Sequence, residues 1–218
     1  VSRFGEPDIY PFVKGLKDYP QITPILKRPG ETINFGGIWH SDTVYQPEPP
    51  MATVLYAKQL PPTGGDTLFA NQYQAYESLS AQLREILNGL TAVNSAAKGS
   101  AAHTRSDRVA DAGTGLAAEA MQAEHPVIRT HPETGARALY IGNHASHVLG
   151  RERAMGEALL ADLERHATQE EFIYRHSWRD SDVLMWDNRC TIHCVMPYDA
   201  ARERRVVCRA VVQGDRPV

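Results

Sequence analysis

The sequence predicts a mainly β fold with flanking helices, a barrel or sandwich of short strands with helical decoration. Three observations carry that expectation. At least eight short runs rich in β-branched and aromatic residues are separated by Pro/Gly turns, and two segments carry a helical stripe. No repeat or low-complexity linker divides the chain. Residues 1–218 are therefore read as one domain, and a hydrophobic content of 42% is sufficient for a packed core.

In chain order, residues 1–20 mix Pro, Gly and aromatics and read as an irregular lead-in. Residues 22–27 form a strand that Pro29-Gly30 closes, and 53–57 (TVLYA) have the profile of a buried strand. Pro61-Pro62-Thr63-Gly64-Gly65 turns the chain into a further strand at 66–70. The first helix falls in 80–90, where Leu83, Ile86, Leu87 and Leu90 recur at i, i+3, i+4 and i+7 behind a Ser80 N-cap. The second falls in 151–167, with Met155, Leu159, Leu160 and Leu163 as a core-facing stripe. Between them, 95–122 is dominated by Ala, Gly, Ser and Thr and reads as a long mobile loop, the natural active-site lid. Strands resume at 126–131 and 137–141, joined by a Pro132-Glu133-Thr134-Gly135 turn, and continue at 171–175, 182–186, 190–195 and 204–212.

Bulk properties exclude several classes. A formal charge of −3 offers no basic field for nucleic acid. No run approaches the roughly eighteen apolar residues of a membrane helix. Cys190, Cys194 and Cys208 cannot all pair and lack a C-x-x-C spacing, which predicts reduced, largely buried thiols in a cytoplasmic protein. Val1-Ser2-Arg3-Phe4-Gly5 has no initiator Met and no signal-peptide pattern, so the sequence is expected to begin inside a longer protein.

The chemistry-bearing residues start with Trp39-His40-Ser41-Asp42. On a strand, His40 and Asp42 project to one face, and an imidazole beside a carboxylate is two thirds of a 2-His-1-carboxylate triad for a non-haem metal. Such a three-letter pattern also arises by chance, and His131-Pro132-Glu133 is a matching control whose Pro places it in a turn. A third ligand must come from far along the chain. His144, His147, His166, His176 and His193 are the candidates, with His166 expected at the surface of its helix and His193 in a β-type stretch. Position alone does not choose among them. Near the end, strand parity sets Arg205 and Arg209 on one face, about 13 Å apart at roughly 3.3 Å per residue. Facing inward, each guanidinium needs an anion; on an edge strand both are simply solvated.

Together these runs are recognisable. WHSDTVY, PPMATVLYAK, PPTGGDTLFAN, WDNRCTIH and RRVVCRAVVQGD, with RFGEP near the start and HPVIRTHPETG in the middle, resemble the taurine dioxygenase and 2,4-dichlorophenoxyacetate dioxygenase family over nearly the whole chain. The resemblance implies a double-stranded β-helix (jelly-roll) core. It implies His40, Asp42 and His193 as ligands of Fe(II), with Thr67 and Arg209 holding the far carboxylate of 2-oxoglutarate. Arg205 then corresponds to a position for the acidic group of the substrate. The implied reaction uses O2 and 2-oxoglutarate to hydroxylate a small, anionic organic molecule (sulfonate, carboxylate or aryloxy acid) with release of succinate and CO2. The resemblance also implies a further segment ahead of RFGEP, which this sequence is expected to lack.

Two other readings stay open at this point. A non-catalytic binding protein on the same barrel would be expected to have lost a ligand or an arginine. A zinc hydrolase could use the same ligands but gives no role to Thr67 or the paired arginines. The expected partner is a small molecule, with no nucleic acid and no membrane; a homo-oligomer is neither required nor excluded. Trp186, Asn188 and Arg189 are expected to structure the turn ahead of His193.

Overall fold

The longest strand, β3 (Ala52–Gln59), lies in a sheet whose other long member is β13 (Val206–Val212), at the far end of the sequence. A computed structural model of the chain describes residues 1–10, 12–26, 36–98, 117 and 120–218. Among these it has thirteen strands and three helices. In the first sheet β13 pairs antiparallel with β3, which pairs in turn with β11 (Val183–Asp187). On its other flank β13 carries β1 (Pro7–Asp8) and β2 (Thr23–Leu26). Pro24 is tolerated there because β2 is an outer strand. Lys27, the expected last residue of that strand, lies outside the described residues.

The second sheet has the order β10–β4–β12, from Ile173–His176, Thr67–Asn71 and Thr191–Val195. Both sheets contribute walls to one cavity, with Leu55 and Val207 on one side and Thr67 and His193 on the other. The result is the jelly-roll architecture, mostly antiparallel β with helices outside. A third sheet joins β5 (Thr91–Ser95) to β6 (Gln122–Pro126) and β9 (Ala145–Val148). A hairpin of β7 (Ile128–Thr130) and β8 (Arg137–Leu139) completes the β structure. The turn of that hairpin holds His131, whose Nδ1 accepts the Glu133 and Thr134 amides at 3.3 Å, as the control motif required.

Three helices cover the outside. Helix α1 (Gln72–Glu77) carries no apolar stripe and is absent from the sequence reading; its signal is Asn71, which caps the Tyr73 and Gln74 amides. Helix α2 (Ala81–Leu87) starts at the expected Ser80 cap, which accepts Leu83 N. Leu87 is buried but Ile86 is exposed, so that stripe is narrower than expected. Helix α3 (Arg153–Ala167) corrects its stripe by one position. Its buried face is Gly156, Leu160, Leu163 and Ala167, while Met155 is 66% exposed. Hydrophobicity alone favours Met155, but the helix approaches β9 so closely that a Cβ at Gly156 would stand 3.1 Å from Val148 N. A small residue marks the contact face there. His166 is also corrected: it is half-buried, with Nε2 2.9 Å from Ala75 O.

The main hydrophobic cluster lies under the helices and includes Leu87, Leu139, Leu160, Phe172 and Ile192. A smaller one (Leu55, Phe69, Trp186 and Val207) lies between the first two sheets, and Leu55, Trp186 and Val207 form the apolar floor of the cavity. Of the expected loop 95–122, Ser95 pairs with Gln122 across β5–β6, and residues 99–116, 118 and 119 lie outside the described residues. All three cysteines are unpaired thiols, half-buried rather than buried.

Candidate metal and anion site

His40 and His193 are brought together by backbone hydrogen bonding, 153 residues apart in sequence. They form an isolated antiparallel bridge, with His40 N donating to His193 O at 3.0 Å and His193 N to His40 O at 2.9 Å. Such a pair projects its side chains to the same side, and the two ring centroids are 4.2 Å apart. Asp42 reaches them differently from the expected strand alternation. Beyond the bridge the chain turns, with Thr43 at φ 44°, and the turn carries the carboxylate inward. Ligand atoms of His40, Asp42 and His193 all lie within 4.8 Å of one another, and all three side chains line the cavity. Of the other candidate histidines, His144 lies nearest, its ring 6.3 Å from His40, and its Nδ1 is turned to Ser95 O at 3.1 Å. His176 faces Asp182, and His147 faces Ser146.

The protonation states suit a divalent metal. His40 Nδ1 is 2.6 Å from the Ile38 carbonyl, which can only accept, so Nδ1 carries a proton and Nε2 is the ring nitrogen turned toward Asp42. His193 is packed between Phe69 and Trp186, with centroids at 6.0 and 4.7 Å. Burial, reinforced by His40 and only partly opposed by Asp42, lowers its pKa to about 3, so it is a neutral imidazole at neutral pH. Burial works against ionisation of Asp42, but Arg209, His193, His40 and the Thr53 hydroxyl together outweigh it. The carboxyl is held well below its usual range.

The cavity around this triad opens to solvent. Arg205, Val207 and Arg209 are all buried and line it, so the parity argument for one inward face holds. A register shift in the β13–β3 ladder between Val206 and Val207 lies beside Arg205. The second glycine of the GGD turn makes room for that side chain. Gly65 has φ 73°, and a Cβ there would stand 3.2 Å from Arg205 Cδ.

The two arginines have different neighbours. Arg209 Nη2 comes within 2.9 Å of Asp42 Oδ1, and its guanidinium carbon sits 4.6 Å from the centre of the Tyr10 ring. Arg205 donates Nε to Gly65 O at 3.2 Å and lies 5.6 Å from the centre of the Trp178 ring. Trp178 donates its indole N–H to Thr67 Oγ1 at 3.0 Å. Thr67 is therefore grouped with Arg205, whereas the resemblance had grouped it with Arg209. Arg205 Nη2, Arg209 Nε and Nη2, and His193 Nδ1 are buried without an aligned hydrogen-bond acceptor or donor. The short Arg209–Asp42 contact is an ion pair off the N–H axis. A buried guanidinium without an ion pair, as Arg205 is among the described residues, costs several kcal/mol, which a bound anion would offset.

Sequence reasoning missed Thr53, Trp178 and Tyr10. Thr53 donates to Asp42 Oδ2 at 2.6 Å. The only sequence signal for Thr53 was a hydroxyl inside an otherwise apolar strand.

Two imidazoles and one carboxylate, set in an antiparallel jelly roll opposite buried arginines, define a class of protein with a non-haem metal centre beside an anion pocket. Comparison with known proteins agrees. Residues 1–211 match the family described as "Taurine catabolism dioxygenase TauD, TfdA family", and the chain belongs to that family. It is 40% identical over 184 residues to an alpha-ketoglutarate-dependent 2,4-dichlorophenoxyacetate dioxygenase of Burkholderia sp. (strain RASC), covering 82% of this chain and 59% of that protein. It is 32% identical over 224 residues to an alpha-ketoglutarate-dependent sulfate ester dioxygenase of Pseudomonas putida, covering 100% of this chain and 72% of the relative. Among solved structures, a taurine dioxygenase from Burkholderia xenovorans superposes with a TM-score of 0.81 at 32% identity, over 100% of this chain and 70% of that one. The chain thus spans about three fifths to seven tenths of the length of these relatives.

Proposed function

We propose that this chain forms the catalytic barrel of an Fe(II)- and 2-oxoglutarate-dependent dioxygenase that hydroxylates a small anionic organic molecule. The observation that carries the reading is the convergence of His40, Asp42 and His193 ligand atoms within 4.8 Å at a cavity lined by two buried arginines. The donor set fits a divalent iron: two imidazoles, that of His193 neutral at neutral pH, and one ionised carboxylate. Bound iron, with 2-oxoglutarate and O2, would supply oxidation of a substrate C–H bond coupled to decarboxylation to succinate and CO2.

The chain's own residues bind, orient and exclude water. Arg205 Nη2 is buried and unsatisfied, and Thr67 accepts the Trp178 N–H, which leaves its own hydroxyl proton to donate. This pairing favours Arg205 and Thr67 as the holders of the distal carboxylate of 2-oxoglutarate, and Arg209 as the cation that meets the acidic group of the primary substrate. That is the reverse of the assignment expected from the resemblance. Leu55, Trp186 and Val207 give the cavity an apolar floor that keeps the reacting centre dry. Relatives named for sulfate ester, aryloxyacetate and phenoxypropionate substrates agree with an acidic substrate.

Anaerobic titration with Fe(II), with and without 2-oxoglutarate, tests the reading. A visible metal-to-ligand charge-transfer band is expected only with both, and is expected to vanish in His193→Ala. A folded protein that gives no such band would overturn the assignment.

A further inference from the structure

Asp42 has two carboxylate oxygens in different surroundings. Oδ1 faces the other ligands, 3.9 Å from His40 Nε2 and 2.9 Å from Arg209 Nη2. Oδ2 faces away and accepts the hydroxyl of Thr53 at 2.6 Å, a short charge-assisted bond between buried groups. Thr53 Oγ1 in turn accepts Asn188 Nδ2 at 2.9 Å, and Asn188 Oδ1 accepts the Trp186 indole N–H at 2.9 Å.

Every direction in this relay is forced. An indole only donates, so the amide oxygen of Asn188 must face Trp186 and its NH2 must face Thr53. Thr53 then has a single proton left, and an ionised carboxylate is obliged to accept it. The backbone fixes the same residues, with Ser41 Oγ donating to Asn188 O at 2.9 Å and Asn188 N to Met51 O at 2.8 Å. The Trp186 ring that starts the relay also packs 4.7 Å from the His193 ring.

We infer that Thr53 is a positioning residue that assigns the two oxygens of Asp42. It reserves Oδ2 for the relay and leaves Oδ1 as the one oxygen offered to the metal, while Asn188 and Trp186 fix the direction of the Thr53 proton. Without the hydroxyl, the carboxylate is able to turn both oxygens toward the metal or swing toward Arg209. Either movement spoils the ligand geometry that His40 and His193 set between them. The inference rests on the metal-site reading above and adds what holds the carboxylate in register.

The test is Mn(II) binding followed by electron paramagnetic resonance, in the presence of 2-oxoglutarate, beside the melting temperature of the metal-free protein. Thr53→Val keeps the shape and removes the hydroxyl; it is expected to weaken Mn(II) binding about 10–100-fold, the usual loss when a partner of a ligand is removed. Thr53→Ser restores the hydroxyl and is expected to return binding to within about threefold of the parent. Unchanged affinity in Thr53→Val would overturn the inference, as would equal losses in the Ser and Val variants, which would mark a packing effect. If Thr53→Val does not fold, Trp186→Phe replaces it: a ring is kept near His193, the N–H that directs the relay is lost, and unchanged Mn(II) affinity would overturn the inference. Failure of the parent protein itself to bind Mn(II) would instead overturn the metal-site reading, and this inference with it.

Discussion

Arg209 and Asp42 are the closest charge pair in the cavity, with Nη2 2.9 Å from Oδ1, whereas Arg205 has only the carbonyl of Gly65 as a hydrogen-bond partner among the described residues. Two inward arginines on one strand face are therefore not equivalent. One belongs to the metal side of the cavity, and the other to the Thr67–Trp178 side.

That asymmetry predicts a division of effects. A charge-assisted hydrogen bond contributes about 1.5–3 kcal/mol, so Arg205→Met should weaken 2-oxoglutarate binding by roughly 10–100-fold. Arg209→Met should leave 2-oxoglutarate affinity within about threefold and lower kcat/KM for the primary substrate by a similar 10–100-fold. Equilibrium binding of 2-oxoglutarate to both variants checks the division; the opposite pattern would return Arg209 to the co-substrate.

A second prediction concerns stability far from the site. The Arg129 side chain is 1% exposed, and Nη2 donates to Asp215 Oδ2 at 2.8 Å. Its Nε and Nη1 lack aligned partners, and its guanidinium carbon is 5.0 Å from the centre of the Tyr140 ring. Removing one member of a fully buried pair costs about 3–5 kcal/mol; because Asp215 is itself partly exposed, Asp215→Asn should cost about 2–3 kcal/mol. Arg129→Met removes the buried charge together with its need for a partner and should cost less. Chemical denaturation of both variants and of the double variant checks this, with the double expected to match Arg129→Met alone.

Much of the fold was legible because the relevant signals are local. β-Branched runs marked β3, β12 and β13, and alternation along β13 placed Arg205, Val207 and Arg209 on one face. His193 was only one of five candidate histidines until the resemblance singled it out, because what selects it is a backbone bridge to His40 across 153 residues. The roles of Thr53 and Asn188 also depend on tertiary contacts, 11 and 135 residues apart in sequence. Helix α1 had no stripe to reveal it, and the grouping of Thr67 with Arg205 depends on Trp178, 111 residues further along the chain than Thr67.

Helix α3 yields a direct test of which stripe packs. Leu160 is 5% exposed in the main cluster, so Leu160→Ala should cost about 2–5 kcal/mol in unfolding free energy. Met155→Ala, at an exposed position one residue off the packed face, should stay within about 0.5 kcal/mol of the parent. Gly156→Ala should destabilise despite the better helix propensity of Ala, because the added methyl meets Val148 N at 3.1 Å. A large loss for Met155→Ala would mean that the hydrophobic stripe, and not the small-residue face, packs against β9.

Acid stability provides the last prediction, through His125. Its side chain is buried, with Nε2 2.9 Å from Gln46 O. Burial lowers its pKa below 6.5; hydrogen bonds to the Gln46 and Val44 carbonyls only partly oppose this, and Arg129 and Arg216 add to the lowering. The folded chain therefore takes up this proton at a lower pH than the unfolded chain does. Above pH 6.5 both states are neutral at His125 and no stability is lost. As pH falls below 6.5 the unfolded state binds the proton first, and stability declines until the folded-state pKa is passed. His193 contributes in the same direction in the metal-free protein, its pKa lying at about 3, so the loss continues well below pH 5. Removing only the first contribution, His125→Gln should flatten the fall in melting temperature just below pH 6.5 while leaving the steeper loss at lower pH. An unchanged profile in that variant would show that His125 is protonated in the folded state as readily as in the unfolded one, and that its burial is relieved by a local opening.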